Sequence, residues 1–245
     1  MTSSSLELLW GTGERPSRGP KPGLSLDRIV TAAVEVADAE GLAAVSMRRV
    51  STELGVGTMS LYRYVPGKAE LLDLMLDRVQ AESLAADPPR AADWRATVGL
   101  LARSHRELFH RHTWLIEVNE ARSALGPSTL RGLELCLTGL RSMGLSGPET
   151  ISVIIAVQSF ATGIARMEIQ SAQAAEETGV SHEEFWEGQR PFLERAMQSG
   201  QFPHMATLSE DTFSQDFDHF GFGLERLMDG LEALVARRTA ESDAE

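Results

Sequence analysis

Leu54-Gly55-Val56-Gly57-Thr58-Met59-Ser60-Leu61-Tyr62-Arg63-Tyr64-Val65 contains both tyrosines of the 245-residue chain. The stretch reads as a tight turn followed by a two-turn helix over 58–64. Polar, aromatic and basic groups lie on one side, and Val56, Leu61 and Val65 on the other. So short a helix is not stable alone. One that anchors itself by three aliphatics and offers hydrogen-bonding side chains outward suits insertion into the major groove of DNA.

The neighbouring sequence supplies the rest of such a unit. From Leu26 the period is helical: Leu26, Ile29, Ala33, Val36 and Ala37 share a face up to Gly41. Ser46 is a good N-cap for a second helix over 46–54 that keeps Val50 and Leu54 inward. Ser51, between them, is small enough to let another helix approach. Helices at 26–40, 46–54 and 58–64, with Gly55 turning between the last two, make a helix-turn-helix pattern, whose last helix enters the major groove. Arg48 suits a bidentate contact to a guanine edge. Thr58, Ser60, Tyr62 and Tyr64 suit phosphate or base edges, and Met59 a thymine methyl. After Pro66-Gly67, Lys68 opens a fourth helix, where its ammonium and the free N–H groups converge on a phosphate.

A net charge of −12 argues against a nucleic-acid binder until its distribution is read. Residues 1–68 hold eight basic and seven acidic side chains, whereas 69–245 hold 15 and 28. Exposed charges are screened within about 8–10 Å, so an acidic body is compatible with a mildly basic head. The single cysteine, Cys136, excludes a disulfide scaffold or a cysteine zinc cluster and fits a reducing cytosol. The N-terminus does not read as a signal peptide. The most apolar stretch, Ile151 to Ile169, is interrupted by Ser152, Gln158, Arg166 and Glu168, so no membrane span is expected.

Residues 1–25 read as a flexible arm: Gly11, Gly13, Pro16, Gly19, Pro20, Pro22 and Gly23 oppose regular structure. Arg15, Arg18 and Lys21 punctuate it and suit a flanking minor groove. Leu6, Leu8, Leu9 and Trp10 are apolar for a solvated tail and suit docking on the body. The helix-turn-helix unit spans 26–72, a second helical region 73–239, and a tail 240–245. Helices are expected at 94–111, 113–122, 127–144, 148–175, 183–199 and 211–239, with Pro191 kinking or splitting the fifth. The fold class is all-α.

The head resembles the tetracycline-repressor (TetR) family of bacterial one-component regulators. The resemblance rests on Ile29-Val30-Thr31-Ala32-Ala33, Glu40-Gly41-Leu42, Ser46-Met47-Arg48-Arg49-Val50, Leu54-Gly55-Val56, Leu61-Tyr62-Arg63-Tyr64-Val65 and Lys68-Ala69-Glu70-Leu71-Leu72. It implies that Met47, Arg48, Thr58, Met59, Ser60, Tyr62, Tyr64 and Lys68 face DNA. Ser51 stands where alanine is usual. Phe220-Gly221-Phe222-Gly223-Leu224-Glu225-Arg226-Leu227 looks like the tetracycline-repressor C-terminal branch, in which the last two long helices complete a four-helix bundle with a second subunit. Helices 148–175 and 211–239 carry apolar residues over too wide a girth for one buried stripe, which favours a two-fold dimer.

The resemblance also implies a small-molecule cavity in the C-terminal domain. Its expected lining is Met75, Val79, Leu101, His105, Phe109, Trp114, Met143, Gln158, Phe160, Thr162 and Met167, which suits a hydrophobic, aromatic or polycyclic ligand. His105, His110 and His112 are not spaced as metal ligands, and neither metal nor cofactor is expected. There is no phosphate-cradling glycine loop, nucleophile elbow or His-Glu-x-x-His pair, so an enzyme is not expected. The sequence reads as a cytoplasmic, dimeric repressor on a palindromic operator, released by a small ligand. Its alternatives are a regulator controlled by a protein partner or by no ligand, and a small helical enzyme.

Overall fold

Helix follows helix through residues 3–11, 23–83, 93–118, 124–209, 212 and 217–242, which the computed structural model describes, with no strand among them. In chain order they are α1 (Ser3–Leu9), α2 (Leu26–Glu40), α3 (Met47–Glu53), α4 (Thr58–Leu61), α5 (Lys68–Ser83), α6 (Trp94–Arg111), α7 (Pro127–Leu140), α8 (Gly147–Thr178), α9 (His182–Gln198) and α10 (His219–Ser242).

Local chemistry sets the head. The Ser25 hydroxyl accepts the Arg28 N–H to open α2, and Ser46 accepts the Arg49 N–H to open α3. At the end of α3, Gly55 takes φ +65°. Its N–H reaches Thr52 O at 3.1 Å while Val56 N–H reaches Ser51 O at 3.0 Å. This paired closure turns the chain toward α4 and favours glycine at the left-handed position. Helix α4 has four residues, and burial holds it: Leu61 and Val65 are wholly buried. Each contributes about 1.5–3 kcal/mol, of the order of what fixing the turn costs.

Two apolar clusters form the core. The first joins Ile29, Val36, Val50, Leu61 and Val65 of the head to Leu71, Met75 and Val79 of α5, and to Leu108, Phe109, Trp114, Leu115, Ala165 and Ile169 of the body. The boundary drawn at residue 72 therefore falls within a helix and a shared core. The second gathers Val98, Ala102, Leu140, Met143, Val153, Ile154, Val157 and Leu224. Helix α8 is long and apolar enough to cross a membrane by length and composition alone; here Val153, Ile154, Val157, Ala161, Ala165 and Ile169 are buried.

Four expectations need correction. Residues 3–9 are helical, not part of a structureless arm, because the glycines and prolines that oppose structure begin only at Gly11. Ser5 is buried, Leu8 and Leu9 pack on the first cluster, and the Trp10 indole N–H donates to Leu125 O. Helix α9 is not split at Pro191: it continues from His182 to Gln198, where the missing N–H frees the Glu187 carbonyl on a helix that buries no residue. A 3₁₀ turn, Thr113–Glu117, stands at the start of the expected 113–122 helix. The last helix begins at His219 rather than 211, where Asp218 accepts the Gly221 N–H. The arm residues Arg15, Arg18 and Lys21 and residues 119–122 of the expected 113–122 helix lie outside the described residues.

Candidate nucleic-acid interface and effector region

Helices α3 and α4 are locked together by one buried hydroxyl. Ser51 Oγ donates to Arg48 O at 2.9 Å and shares a hydrogen bond with Thr58 Oγ1 at 2.9 Å. Ser51 is buried, so its hydroxyl carries a helix-to-helix hydrogen bond shielded from water. Thr58 is thereby half-buried and oriented, and Ser60 is half-buried beside it.

The two adjacent arginines have different surroundings. Arg49 bonds Glu40 at 2.5 Å and Glu53 at 2.8 Å, and these hydrogen bonds raise its pKa. The same bond from Arg49 holds the Glu40 carboxyl below its usual range. Arg48 is exposed and pairs with no carboxylate among the described residues, so its guanidinium is available to a ligand. The helix expected over 58–64 runs only over 58–61: Met59 on it is 76% exposed, Tyr62 at its C-cap is 45% exposed, and Leu61 between them is buried. Lys68 is exposed, and its Nζ lies 3.3 Å from Leu42 O.

Two expected DNA contacts are corrected. Met47 is buried in the first cluster. As the first helical residue it lies over Val50 and Ser51, three and four positions on, and shares their inward face. Tyr64 is half-buried, and its hydroxyl donates to Leu24 O at 2.8 Å. It pins the start of α2 to the end of the recognition turn. Two further exposed residues were passed over: Thr52, one turn beyond Arg48 on α3, and Arg63, next to Tyr62. The four-residue spacing from Arg48 was enough to find Thr52.

The expected effector residues divide between the clusters. Met75, Val79, Phe109 and Trp114 are buried in the first, and Met143 in the second, against which Leu101 and Phe160 pack. His105 and Thr162 meet at the seam: Nε2 and Oγ1 are 2.9 Å apart. Gln158, one turn before Thr162 on α8, is half-buried. Burial pushes the His105 pKa down to about 4, so the ring is neutral near pH 7. Met167 does not belong to this group. It is 52% exposed, because it lies two residues from both Ala165 and Ile169 of the buried stripe, on the opposite side of α8. His110 bonds Glu168, and His112 bonds Asp38 and Glu82. No group of three side chains suited to a metal occurs among the described residues.

Residues 29–75 match the family described as bacterial regulatory proteins, tetR family, and residues 87–235 that described as tetracyclin repressor-like, C-terminal domain. The HTH-type transcriptional repressor DrrR1 of Streptomyces coeruleorubidus is 57% identical over 240 residues, spanning 97% of this chain and 88% of its own. The crystal structure of the Streptomyces coelicolor TetR family protein ActR in complex with actinorhodin aligns with a TM-score of 0.68 at 32% identity, over 87% of this chain and 97% of that one. ActR in complex with (S)-DNPA aligns equally, with a TM-score of 0.68 at 33% identity over 86% and 98%. The chain belongs to the tetracycline-repressor family of DNA-binding bacterial transcriptional regulators.

Proposed function

We propose that this protein is a cytoplasmic repressor that occupies a palindromic operator as a homodimer and is released by a small, largely apolar ligand. The observation that carries the reading is the recognition turn. Met59 and Tyr62 face outward from a helix whose inner side, Leu61 and Val65, is wholly buried, and Arg48 stands unpaired among the described residues beside it. Tyr62, Met59 and Arg48 read base edges, Thr58 and Ser60 are oriented beside them, and Lys68 grips a phosphate. Arg15, Arg18 and Lys21 follow the flanking minor groove.

The dimer is formed by α8 and α10. Ile151, Ile155 and Phe222 are exposed, and Gly163 and Gly230 have open space where a Cβ would stand, which suits close helix approach. The effector enters the body near the His105–Thr162 seam. The neutral imidazole, the Thr162 hydroxyl, the Gln158 amide and the rings of Phe109 and Phe160 favour an uncharged, aromatic, polycyclic ligand bearing hydroxyl or carbonyl groups. A relative 32% identical is solved in complex with actinorhodin, which supports a small-molecule ligand for this chain. A ligand that prefers a head spacing unlike that on DNA lowers operator affinity by its differential binding.

The test is a gel-shift titration of the full chain against the intergenic duplex beside its own gene, at fixed salt. A discrete complex at concentrations at least a hundredfold below those needed for an unrelated duplex supports the reading. Equal affinity for both duplexes overturns it, since phosphate attraction alone is sequence-independent.

A further inference from the structure

We propose that His112 is a positioning residue that couples the DNA-reading head directly to the helix lining the effector region. It is 3% exposed and stands at the C-terminal end of α6, where its N–H caps Leu108 O. Its Nδ1 lies 2.7 Å from Asp38 Oδ1 on the last turn of α2, which belongs to the head. Its Nε2 lies 3.3 Å from Glu82 Oε2 at the end of α5. The indole N–H of Trp114, which is also buried, donates to the same Asp38 oxygen at 2.8 Å. One head carboxylate thus receives two hydrogen bonds from the body segment that directly follows α6.

The surrounding charges hold this junction from its other side. Arg111 bonds Glu82 at 2.8 Å and Glu107 at 2.9 Å. Burial opposes the ionised form of Glu82, but the hydrogen bonds from Arg111 and His112 outweigh it and leave its pKa lowered. Glu82 is therefore held as the anion beside the ring, and Asp38 is the ring's partner on the head.

The placement along α6 gives the contact its meaning. His105 and Phe109, in or beside the effector seam, are seven and three residues before His112. On a rigid helix seven residues are about 10.5 Å, close to two turns. A shift or rotation of α6 at the seam is therefore delivered to Asp38 through His112, in parallel with the covalent path through α5. This inference rests on the repressor reading for its consequence at DNA, but the mechanical link stands on the geometry alone.

Two amide substitutions separate positioning from packing. In His112→Asn the side-chain amide nitrogen takes the place of Nδ1 and keeps the bond to Asp38. In His112→Gln it takes the place of Nε2 and keeps only the bond to Glu82. Both are made in the full chain, checked by circular dichroism and followed by hydrogen–deuterium exchange, with α8 as the internal reference. In His112→Gln, exchange over 26–40 is expected to accelerate about tenfold relative to α8, as loss of one charge-assisted hydrogen bond allows. His112→Asn is expected to restore the wild-type rate over 26–40. Operator affinity is expected to follow the same order, falling several-fold in His112→Gln only.

Equal exchange in the two variants, or acceleration spread evenly over head and body, overturns the proposal. If the wild-type chain binds no duplex selectively, the repressor reading fails while the exchange comparison still decides the link. If neither variant folds, Asp38→Asn replaces them. Its neutral oxygen still accepts from His112 and Trp114 but more weakly, and unchanged exchange over 26–40 overturns the proposal there.

Discussion

His105 and Thr162 join α6 to α8 through a 2.9 Å contact at the boundary between the two apolar clusters. On α6 the second cluster supplies Val98 and Ala102 before His105, and the first supplies Leu108 and Phe109 after it; on α8 the sequence is Val157 before Thr162 and Ala165 after it. In the proposed reading, an entering molecule meets hydrogen-bonding groups at this polar pair without breaking either core. The neutral imidazole has one donor and one acceptor nitrogen; Nε2 is engaged by Thr162, so the proposed ligand would meet the ring through Nδ1.

The same residue makes stability depend on pH. Burial lowers the folded-state pKa of His105 from 6.5 to about 4, so between those values the unfolded chain binds the extra proton and the folded chain does not. Stability is therefore full above pH 6.5 and is lost as pH falls toward 4, by up to about 3 kcal/mol at 1.36 kcal/mol per unit. Urea unfolding of wild type and His105→Gln at pH 7.5, 6 and 4.5 checks this. The variant is expected to lose less stability across the interval, and parallel curves would contradict the assignment.

Arg48 and Arg49 are adjacent in sequence and opposite in role. Arg48→Ala is expected to cost about 1–3 kcal/mol of operator affinity with thermal stability unchanged, because the exposed guanidinium has no carboxylate partner among the described residues. Arg49→Ala is expected to do the reverse. It removes the bond to Glu40 that braces α3 against α2 and the i,i+4 pair with Glu53 within α3, lowers the melting temperature slightly and leaves the ratio of operator to unrelated-duplex affinity intact. Anisotropy titrations and thermal melts of the two variants separate the roles.

The head was legible because its signals are local. Ser46 and Gly41 sit at helix ends by their own capping and turn chemistry, and Leu61 and Val65 repeat at helical spacing. Met47 and Tyr64 were misread because each is decided by a tertiary contact: Met47 by the cluster beneath α3, and Tyr64 by the distant Leu24 carbonyl. Residues 3–9 were misread because one composition was averaged over a segment whose glycines and prolines begin only at Gly11. The residues expected to line an effector cavity divide into two clusters with His105 and Thr162 at the seam, and that division depends on how α6 and α8 pack. Periodicity along either helix does not carry that information.

Ser51 supplies a third prediction. Its hydroxyl bonds Arg48 O and Thr58 Oγ1 in a buried site. Ser51→Ala is expected to cost about 1 kcal/mol of stability and to weaken operator binding modestly, since Thr58 loses its orienting partner. Ser51→Val retains no hydroxyl and adds volume where α3 and α4 approach, and is expected to cost about 1–3 kcal/mol. Denaturant unfolding of both variants gives the order, and Ser51→Val as stable as wild type would show that the two helices are not tightly apposed.

The dimer proposed for α8 and α10 turns on Ile155, which is 56% exposed on the protomer although it lies in the apolar middle of α8. Small residues surround it on the same face: Ser152, Ala156 and Ser159 are exposed, and Gly163 is open. A second copy laid against this face buries the remaining exposed parts of Ile151 and Ile155, each contributing part of the about 1.5–3 kcal/mol that burying a whole side chain gives, and two-fold symmetry repeats every such contact. Ile155→Glu places a carboxylate on each subunit at that face, while the exposed position leaves the protomer fold unstrained. The expected result is a monomeric mass by light scattering at micromolar concentration, a native circular dichroism spectrum, and a loss of operator affinity far beyond that of any single DNA-contact variant, because both heads no longer bind together. Arg131→Glu, on the exposed side of α7, is the control and is expected to retain the mass and affinity of wild type. An unchanged mass for Ile155→Glu would place the subunit contact elsewhere and leave the open face of α8 without the role assigned to it.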